Sequence, residues 1–499
     1  MKKILVLIIG MTLVSSCNDA LEEDLYTSPS FSGLETKEDV EGALTGVYAA
    51  LLGDSNPGYY GRNYLYIREV PTDNLVGGKN DLDRFTFDDN QVELRRTYSD
   101  CYSLVLRANL LIENVDAANI DAGLKAKYKA EAKYLLALAY YDLSSMFGGV
   151  VLITSSVNDI SAKPERTPLE DVEQFIFDKL DEAIPSLSPS KDLDRSGAVT
   201  VGAAYTLKLK LHLRRKEWSK VDEMADLIIG LGQYSLLPNV EDLYTIGNSD
   251  NSEIIFSVKT TGDPLGKGLG ALAAGSTDIA QHNYDFGRDY WGFGTYRIEL
   301  PVYYSFDPSD ERFIKLFRHT YPDRGGAITG PKTLDRQHPP HLDKSQPFVY
   351  CEKYQHPLAG TQTDLRSDIY HANTLFVSRY AEVLLGKAEA LNELTGPSGE
   401  VYGLINQVRN RSNLPNLETT GTFDQTSLRD AIFQERQWEF FMEGYRREDL
   451  IRQGTFVSKI MYSHVLSTPL IDVKECDQLF PIPALEIQLN PNITQNICE

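Results

Sequence analysis

Residues Ala132 to Leu152 read AKYLLALAYYDLSSMFGGVVL. Ala132, Leu135, Leu136, Ala139, Leu143 and Met146 step by threes and fours, so they share one face of a helix. Gly148-Gly149 then stops it. The pattern predicts a helix over 122–146 whose apolar stripe has to be covered by neighbours.

Working outward, the same rhythm recurs. Thr167-Pro168-Leu169-Glu170 reads as a helix start, with Thr167 as N-cap, Pro168 at the first helical position and acids in the first turn. That helix runs to about Ile184, before Pro185. Segments 199–214 and 217–231 read as two helices joined at Arg215-Lys216-Glu217. The pair has tetratricopeptide-like size, with Trp218 opening its second helix and Ala225 further along. Further helices fit 37–52, 94–117, 375–394, 399–412 and 427–452. No strict repeat of about 34 residues stands out, but degenerate pairs stacking into a curved array explain the rhythm. The expected fold class is mainly α: tetratricopeptide-like pairs forming one superhelical body over about 36–231 and 374–452. Each pair needs neighbours, so the two sets are expected to interdigitate in one domain. Between them, 232–373 is rich in Gly, Pro, Asp and aromatic residues. Glu253–Val258 and Val349–Tyr354 are short strand candidates within it. The rest reads as loop, unusual in a compact domain unless it carries function. A second loop-rich insert spans 53–93.

Composition narrows the function. The 499 residues carry 49 Lys+Arg against 71 Asp+Glu, a net charge of −22. That disfavours nucleic acid as a partner and electrostatic docking on anionic lipid. At 42% hydrophobic and 10% aromatic, the chain is not mainly disordered. Lys2 and Lys3 precede the apolar run Ile4–Val14, which is too short to span a bilayer. Val14-Ser15-Ser16-Cys17 then matches a bacterial lipobox. The resemblance implies a signal peptide over 1–16, cleavage before Cys17 and acylation of Cys17. No other apolar run reaches 18 residues, so lipid would be the only membrane anchor. Asn18 to Asp24 is acidic, and 17–35 reads as a tether, similar to the surface-export signal of Bacteroidetes lipoproteins or a plain linker. Cys476 and Cys498 bracket the tail and could pair in an oxidising setting; their pairing stays open.

Four stretches carry a family resemblance. The Ala132–Leu152 stretch is similar to the central helix signature of the SusD/RagB family. Arg379-Tyr380-Ala381-Glu382-Val383-Leu384-Leu385, with Ala388-Glu389-Ala390, resembles its RYAEVLL..AEA helix. Glu435-Arg436, Glu439, Glu443-Gly444, Arg446 and Asp449-Leu450 match its ER..E...EG.R..DL helix. Phe480-Pro481-Ile482-Pro483, Glu486-Ile487 and Asn490 to Asn496 match its closing motif. With the lipobox the matches run almost end to end, over a single SusD-like domain at 36–499. The resemblance implies a helical body with four tetratricopeptide-like pairs and an irregular ligand-binding face. It implies an outer-membrane, surface-exposed lipoprotein that sits as a lid on a TonB-dependent (SusC-like) transporter. It also implies capture of a nutrient, usually an oligo- or polysaccharide and occasionally a peptide. The helix 199–214 departs from many relatives in carrying Lys208, Lys210, Arg214 and Arg215, which leaves its packing partner in doubt.

Chemistry-bearing motifs are missing. HExxH, GxSxG and GxxxxGK[ST] do not occur, so no catalytic residue is assigned and the chain is expected not to be an enzyme. His338, His341 and His356 lie loosely near Cys351 without metal spacing. Asp81, Asp83, Asp88 and Asp89 could offer oxygens to calcium but lack EF-hand order. No metal or cofactor is assigned. Binding is better supported. A sugar site wants exposed rings for C–H faces and planar polar groups for hydroxyls. The first insert holds Tyr59, Tyr60, Tyr64 and Tyr66, with Asn63, Arg68, Asp73 and Asn74. The second holds Tyr284, Phe286, Tyr290, Trp291, Phe293 and Tyr296, with Arg288 interleaved. The expected ligand residues are Tyr59, Tyr60, Asp73, Asn74, Tyr284, Arg288, Tyr290, Trp291 and Tyr296, with Trp291 foremost. Any one of these rings could instead pack a loop onto the body. The alternative function is a peptide- or protein-binding lipoprotein using the concave helical face. Glu435, Arg436, Glu439, Glu443 and Arg446 are spaced for salt bridges along their own helix, and they and the closing motif 480–496 read as structural.

Overall fold

The computed structural model describes residues 33–54, 58–77, 81–156, 162–192, 194–245, 248–259, 296–318, 321–322, 328–329, 350–351, 353, 374–464, 471–496 and 498. The helices are α1 (Lys37–Ala49), α2 (Tyr64–Glu69), α3 (Asp81–Arg84), α4 (Val92–Asn114), α5 (Ala122–Phe147), α6 (Leu169–Ala183), α7 (Val201–Arg214) and α8 (Trp218–Gly230). After the second insert's start come α9 (Leu300–Ser305), α10 (Glu311–Lys315), α11 (Tyr380–Thr395), α12 (Gly399–Arg411), α13 (Gln425–Glu439), α14 (Arg446–Arg452), α15 (Phe456–Ser463) and α16 (Ala484–Leu489). The short strands are β1 (Leu75–Gly77), β2 (Ile254–Val258), β3 (Tyr296–Ile298), β4 (Phe317–Arg318), β5 (Tyr321–Pro322), β6 (Ile328–Thr329), β7 (Tyr350–Cys351) and β8 (Leu375–Arg379). The fold is mainly helical, as the sequence predicts. No helix among the described residues is long and apolar enough to cross a membrane.

The central helix α5 starts where the Asp121 carboxylate accepts from the Gly123 and Leu124 amides at 2.8 and 3.1 Å. It ends at Gly148, whose φ of +73° suits glycine. Its apolar face is buried with Tyr134 and Tyr140, so α5 is enclosed by its neighbours. It packs against α4 on one side and α6 on the other. Helix α6 begins one residue later than expected. Pro168 takes the N-cap position, and Thr167 pairs with Val150 in an isolated bridge instead of capping. Helices α7 and α8 form the expected pair, and α8 packs against α11. The Lys387 ammonium of α11 sits 2.7 Å from the Asp226 carboxylate of α8. Helices before residue 232 therefore meet those after 374 directly. The basic residues of α7 also find partners: Lys208 pairs with Asp181, Lys210 with Glu382 and Arg214 with Glu448.

Two expectations fail for tertiary reasons. The helix expected from 375 begins at Tyr380, because Leu375–Arg379 instead pairs antiparallel with β2, placing Leu375 opposite Val258. The helix expected over 427–452 breaks into α13 and α14. Between them Met442 and Gly444 have φ of +61° and +84°, and the Gly444 amide donates to Glu69 at 2.6 Å. A Cβ at Gly444 would lie 2.6 Å from the Tyr64 ring, so the break requires glycine.

The salt-bridge ladder expected along this helix is also not what forms. Glu435, Glu439 and Glu443 reach out to Arg312, Lys353, Arg379, Arg409 and Arg411 from other segments. Glu253 and Asp310 complete a buried cluster of five carboxylates and five cations. Burial alone would raise the Glu439 carboxyl, but Arg411, Arg379 and Arg312 hold it well below the usual carboxylate range. The closing motif is structural: Phe480 and Ile482 are buried, and the Asn496 amide donates to the Phe147 and Phe480 carbonyls at 2.9 and 2.7 Å. Cys476 and Cys498 form a disulfide that closes this segment.

Candidate functional site

The two inserts meet in a small antiparallel ladder. Strand β1 of the first pairs with β3 of the second, with Leu75 opposite Ile298 and Gly77 opposite Tyr296. The Glu299 amide extends the ladder by donating to the Asn74 carbonyl at 2.9 Å. Asp73, Asn74 and Tyr296, far apart in sequence, therefore belong to one structural unit.

A cleft of about 370 Å³ opens beside this ladder. Helix α9 lines it with Tyr304 and Ser305, α13 with Gln434 and Gln437, and α15 with Lys459, Tyr462 and Ser463; Asp73 also lines it. The Tyr462 side chain is 62% exposed, an uncommon position for so large a ring. Behind it the amides form a directed chain. Gln434 donates to Gln437 at 3.1 Å, Gln437 to Asn74 at 3.0 Å, and Asn74 to Glu69 at 2.8 Å. Each link fixes which end of an amide is oxygen and which is nitrogen. Burial raises the Glu69 carboxyl to about 7, even though Asn74 and the Gly444 amide bond to it. Arg446 grips both oxygens of Asp73 at 2.7 Å, so this carboxylate fixes the cleft wall. The arrangement offers a flat ring face, an oriented amide in Gln434 and an exposed ammonium in Lys459. These groups suit a ligand with C–H faces and hydroxyls.

The first aromatic cluster is not exposed. Tyr59 and Tyr60 are 3% and 1% accessible, and Tyr64 and Tyr66 are buried too. A buried hydroxyl needs a partner, and these find theirs in the body. Tyr60 donates to Asp142 at 2.7 Å, and Arg68 donates to the Tyr59 hydroxyl at 3.3 Å and to Asp142 at 2.6 Å. Tyr59 and Tyr60 therefore pack the first insert onto α5, which corrects their assignment as ligand platforms. Asp73 and Asn74 are buried supports of the cleft. Tyr284, Arg288, Tyr290 and Trp291 lie outside the described residues, as does Cys17. Tyr296 is placed by its backbone in β3. The four aspartates that could offer oxygens to calcium have protein partners: Asp81 accepts from Thr86, Asp83 faces His464, and Asp88 and Asp89 both accept from Asn90.

Sequence reasoning missed Gln434, Gln437, Tyr304, Lys459 and Tyr462. The two glutamines stand three residues apart on α13, a spacing that shares one helix face, and that was the available signal. A second cavity of about 450 Å³ lies between α1 and residues 194–198, floored by Leu44, Leu51, Leu52 and Val258, with Arg195 and Lys259 also lining it.

Two family models match the chain: one described as SusD family over residues 334–498, the other as starch-binding associating with outer membrane over 28–213. A SusD-like protein of Formosa agariphila is 26% identical over 516 residues, covering 96% of this chain and 95% of its own. A laminarin-binding SusD-like protein of known structure has a TM-score of 0.75 at 24% identity, covering 93% of this chain and 100% of that one. Surface glycan-binding protein A from Bacteroides thetaiotaomicron, solved in complex with laminarihexaose, has a TM-score of 0.73 at 21% identity, covering 92% and 99%. At these identities the structures establish a shared fold, and fold alone does not fix a ligand.

Proposed function

The chain belongs to the SusD/RagB family, and we propose that it captures a nutrient glycan where its two inserts meet and passes it to a TonB-dependent outer-membrane transporter. The observation that carries this reading is the 370 Å³ cleft with the exposed Tyr462 ring and the oriented Gln434 amide. The matching starch-binding model and the glycan-binding relatives of like fold support the ligand class. The second-insert residues Tyr284, Arg288, Tyr290, Trp291 and Tyr296 belong to the same proposal as further contacts, since β3 joins their segment to the cleft's edge. Capture without turnover fits the cleft's lining: Asp73 is its one carboxylate among the described lining residues and is held by Arg446, whereas glycoside hydrolysis needs two facing acids. Anchorage through acylated Cys17 at the cell surface completes the reading, and the family model's description supports the outer-membrane setting.

Affinity should be modest. One or two stacked rings and a few hydroxyl hydrogen bonds at about 1 kcal/mol each give micromolar to millimolar binding. Calorimetry against laminarin and starch, with Tyr462→Ala and Trp291→Ala beside the parent chain, tests it. Losing one stacking ring should weaken binding about tenfold. If neither glycan binds, or both variants bind as the parent does, the glycan reading fails. The peptide-binding alternative draws on the second cavity, whose apolar floor and charged lining groups suit an extended segment. Peptides, and no sugars, retained from a surface extract would favour it.

A further inference from the structure

His464 closes α15 next to the cleft residue Ser463, and its side chain is buried at 2% exposure. Its Nδ1 lies 3.1 Å from the Ile460 carbonyl and 2.8 Å from the Ser463 hydroxyl. The Ser463 hydroxyl itself donates to that carbonyl at 3.0 Å. A carbonyl only accepts, so this side of the ring calls for a proton on Nδ1. The opposite nitrogen, Nε2, faces two acids: Asp83 of α3 at 3.5 Å and Glu299, just past β3, at 3.6 Å. A neutral ring with its proton on Nδ1 would turn a lone pair toward both carboxylates. An imidazolium keeps the Nδ1 proton and turns a positive charge toward both carboxylates at ion-pair distance.

We infer that His464, held as an imidazolium, is a positioning residue for the proposed glycan cleft, tying α15 to α3 and to the β1–β3 ladder. The tied elements come from the first insert, the second insert and the helix that follows α14. Tyr462 and Lys459 ride on α15, and Glu299 is the residue whose amide bonds to Asn74. Losing the proton leaves two buried carboxylates facing an uncharged ring, and the wall carrying Tyr462 loosens. Burial by itself lowers the basicity of the ring, but Asp83 and Glu299 outweigh it and hold His464 above the ordinary value of 6.5. A group raised in the folded state contributes fully below its ordinary value and loses that contribution as pH rises through the raised one. The latch is therefore complete in mildly acidic solution, while both carboxylates are ionised, and slackens as pH rises through that raised value.

The inference rests on the cleft being the glycan site, so its test separates the two. In the full-length chain labelled with 13C at histidine, the H464Q variant identifies the His464 resonance, and that resonance is expected to titrate above 6.5. Hydrogen exchange, corrected for intrinsic rates, is followed from pH 6 to 9 over 75–84, 296–299 and 456–464. Protection there should fall about tenfold as His464 titrates, as for loss of a close buried charge pair. Residues 399–411 should keep theirs, and H464Q should be poorly protected at every pH. Titration at or below 6.5, or unchanged protection across the range in the parent chain, overturns the latch. Laminarihexaose binding that weakens in step with exchange supports its role at the cleft; binding that ignores pH overturns that role. Absence of laminarihexaose binding at every pH counts against the glycan reading, while the exchange result still decides the latch.

Discussion

Replacing Arg379 with leucine tests the buried ion cluster that joins the second insert to the body. The Arg379 side chain has no exposure. It donates to Glu443 at 2.7 Å, to Glu253 at 2.8 Å and to the Glu439 carbonyl at 2.8 Å, and it lies over the Phe440 ring. Leucine fills part of the volume but leaves five carboxylates facing four cations. Stranding a buried charge in this way costs about 3–5 kcal/mol. The assay matters, because unfolding entropy of roughly 2 cal/mol/K per residue makes the melting point insensitive in so long a chain: about 4 kcal/mol moves it by only some 4 °C. Isothermal urea unfolding at 25 °C reads the loss directly. The pH dependence carries a sign. In the parent chain Glu443 is lowered by Arg379 and Lys353 despite its burial, so its contribution is present above the ordinary carboxylate value and is lost as pH falls through the lowered one. In the variant the surplus carboxylate is better protonated, so the deficit should shrink as pH falls from 7.5 toward 5. A loss under about 1 kcal/mol, or a deficit that stays constant on acidification, refutes the view of the cluster as a charge-balanced unit.

Other substitutions probe separate features. Gly444→Ala puts a Cβ 2.6 Å from the Tyr64 ring at a φ of +84°, and should cost at least about 1–3 kcal/mol in the same urea assay. Tyr60→Phe removes the 2.7 Å donor to buried Asp142; about 1 kcal/mol of stability should go with glycan affinity unchanged, whereas a fall in affinity at full stability would restore Tyr60 as a contact. Changing Cys476 and Cys498 together to serine opens a loop of sequence separation 22 and should cost about 3 kcal/mol, with faster protease cleavage over 480–496; cleavage at the parent rate would show the segment held without the bond.

What could be read without coordinates follows the range of the forces involved. Helices α5, α7, α8 and α12 declare themselves because an apolar stripe and its caps lie within a few residues of one another. Leu375–Arg379 misled because a short apolar run suits either a strand or a buried helix, and its partner β2 lies in the far insert. The α13–α14 break was hidden because the need for a turn at Gly444 comes from Tyr64 and Glu69, more than 370 residues away. Two of the nine expected ligand residues were misjudged in the same way. Tyr59 and Tyr60 stand in loop-like sequence, yet the groups that bury them, Asp142 and Arg68, are set by packing against α5.

By itself the amino-acid order determined a stacked helical body, its family and a chain without a recognisable catalytic motif, because periodicity, capping and motif spacing are local properties. Only the tertiary structure decided which rings are wetted and which are packed, and where the glutamate-rich helix sends its charges. It also brought Asp73, Gln437 and Tyr462 around one cleft. Solvent exposure and charge pairing depend on neighbours hundreds of residues distant, and no local pattern encodes them.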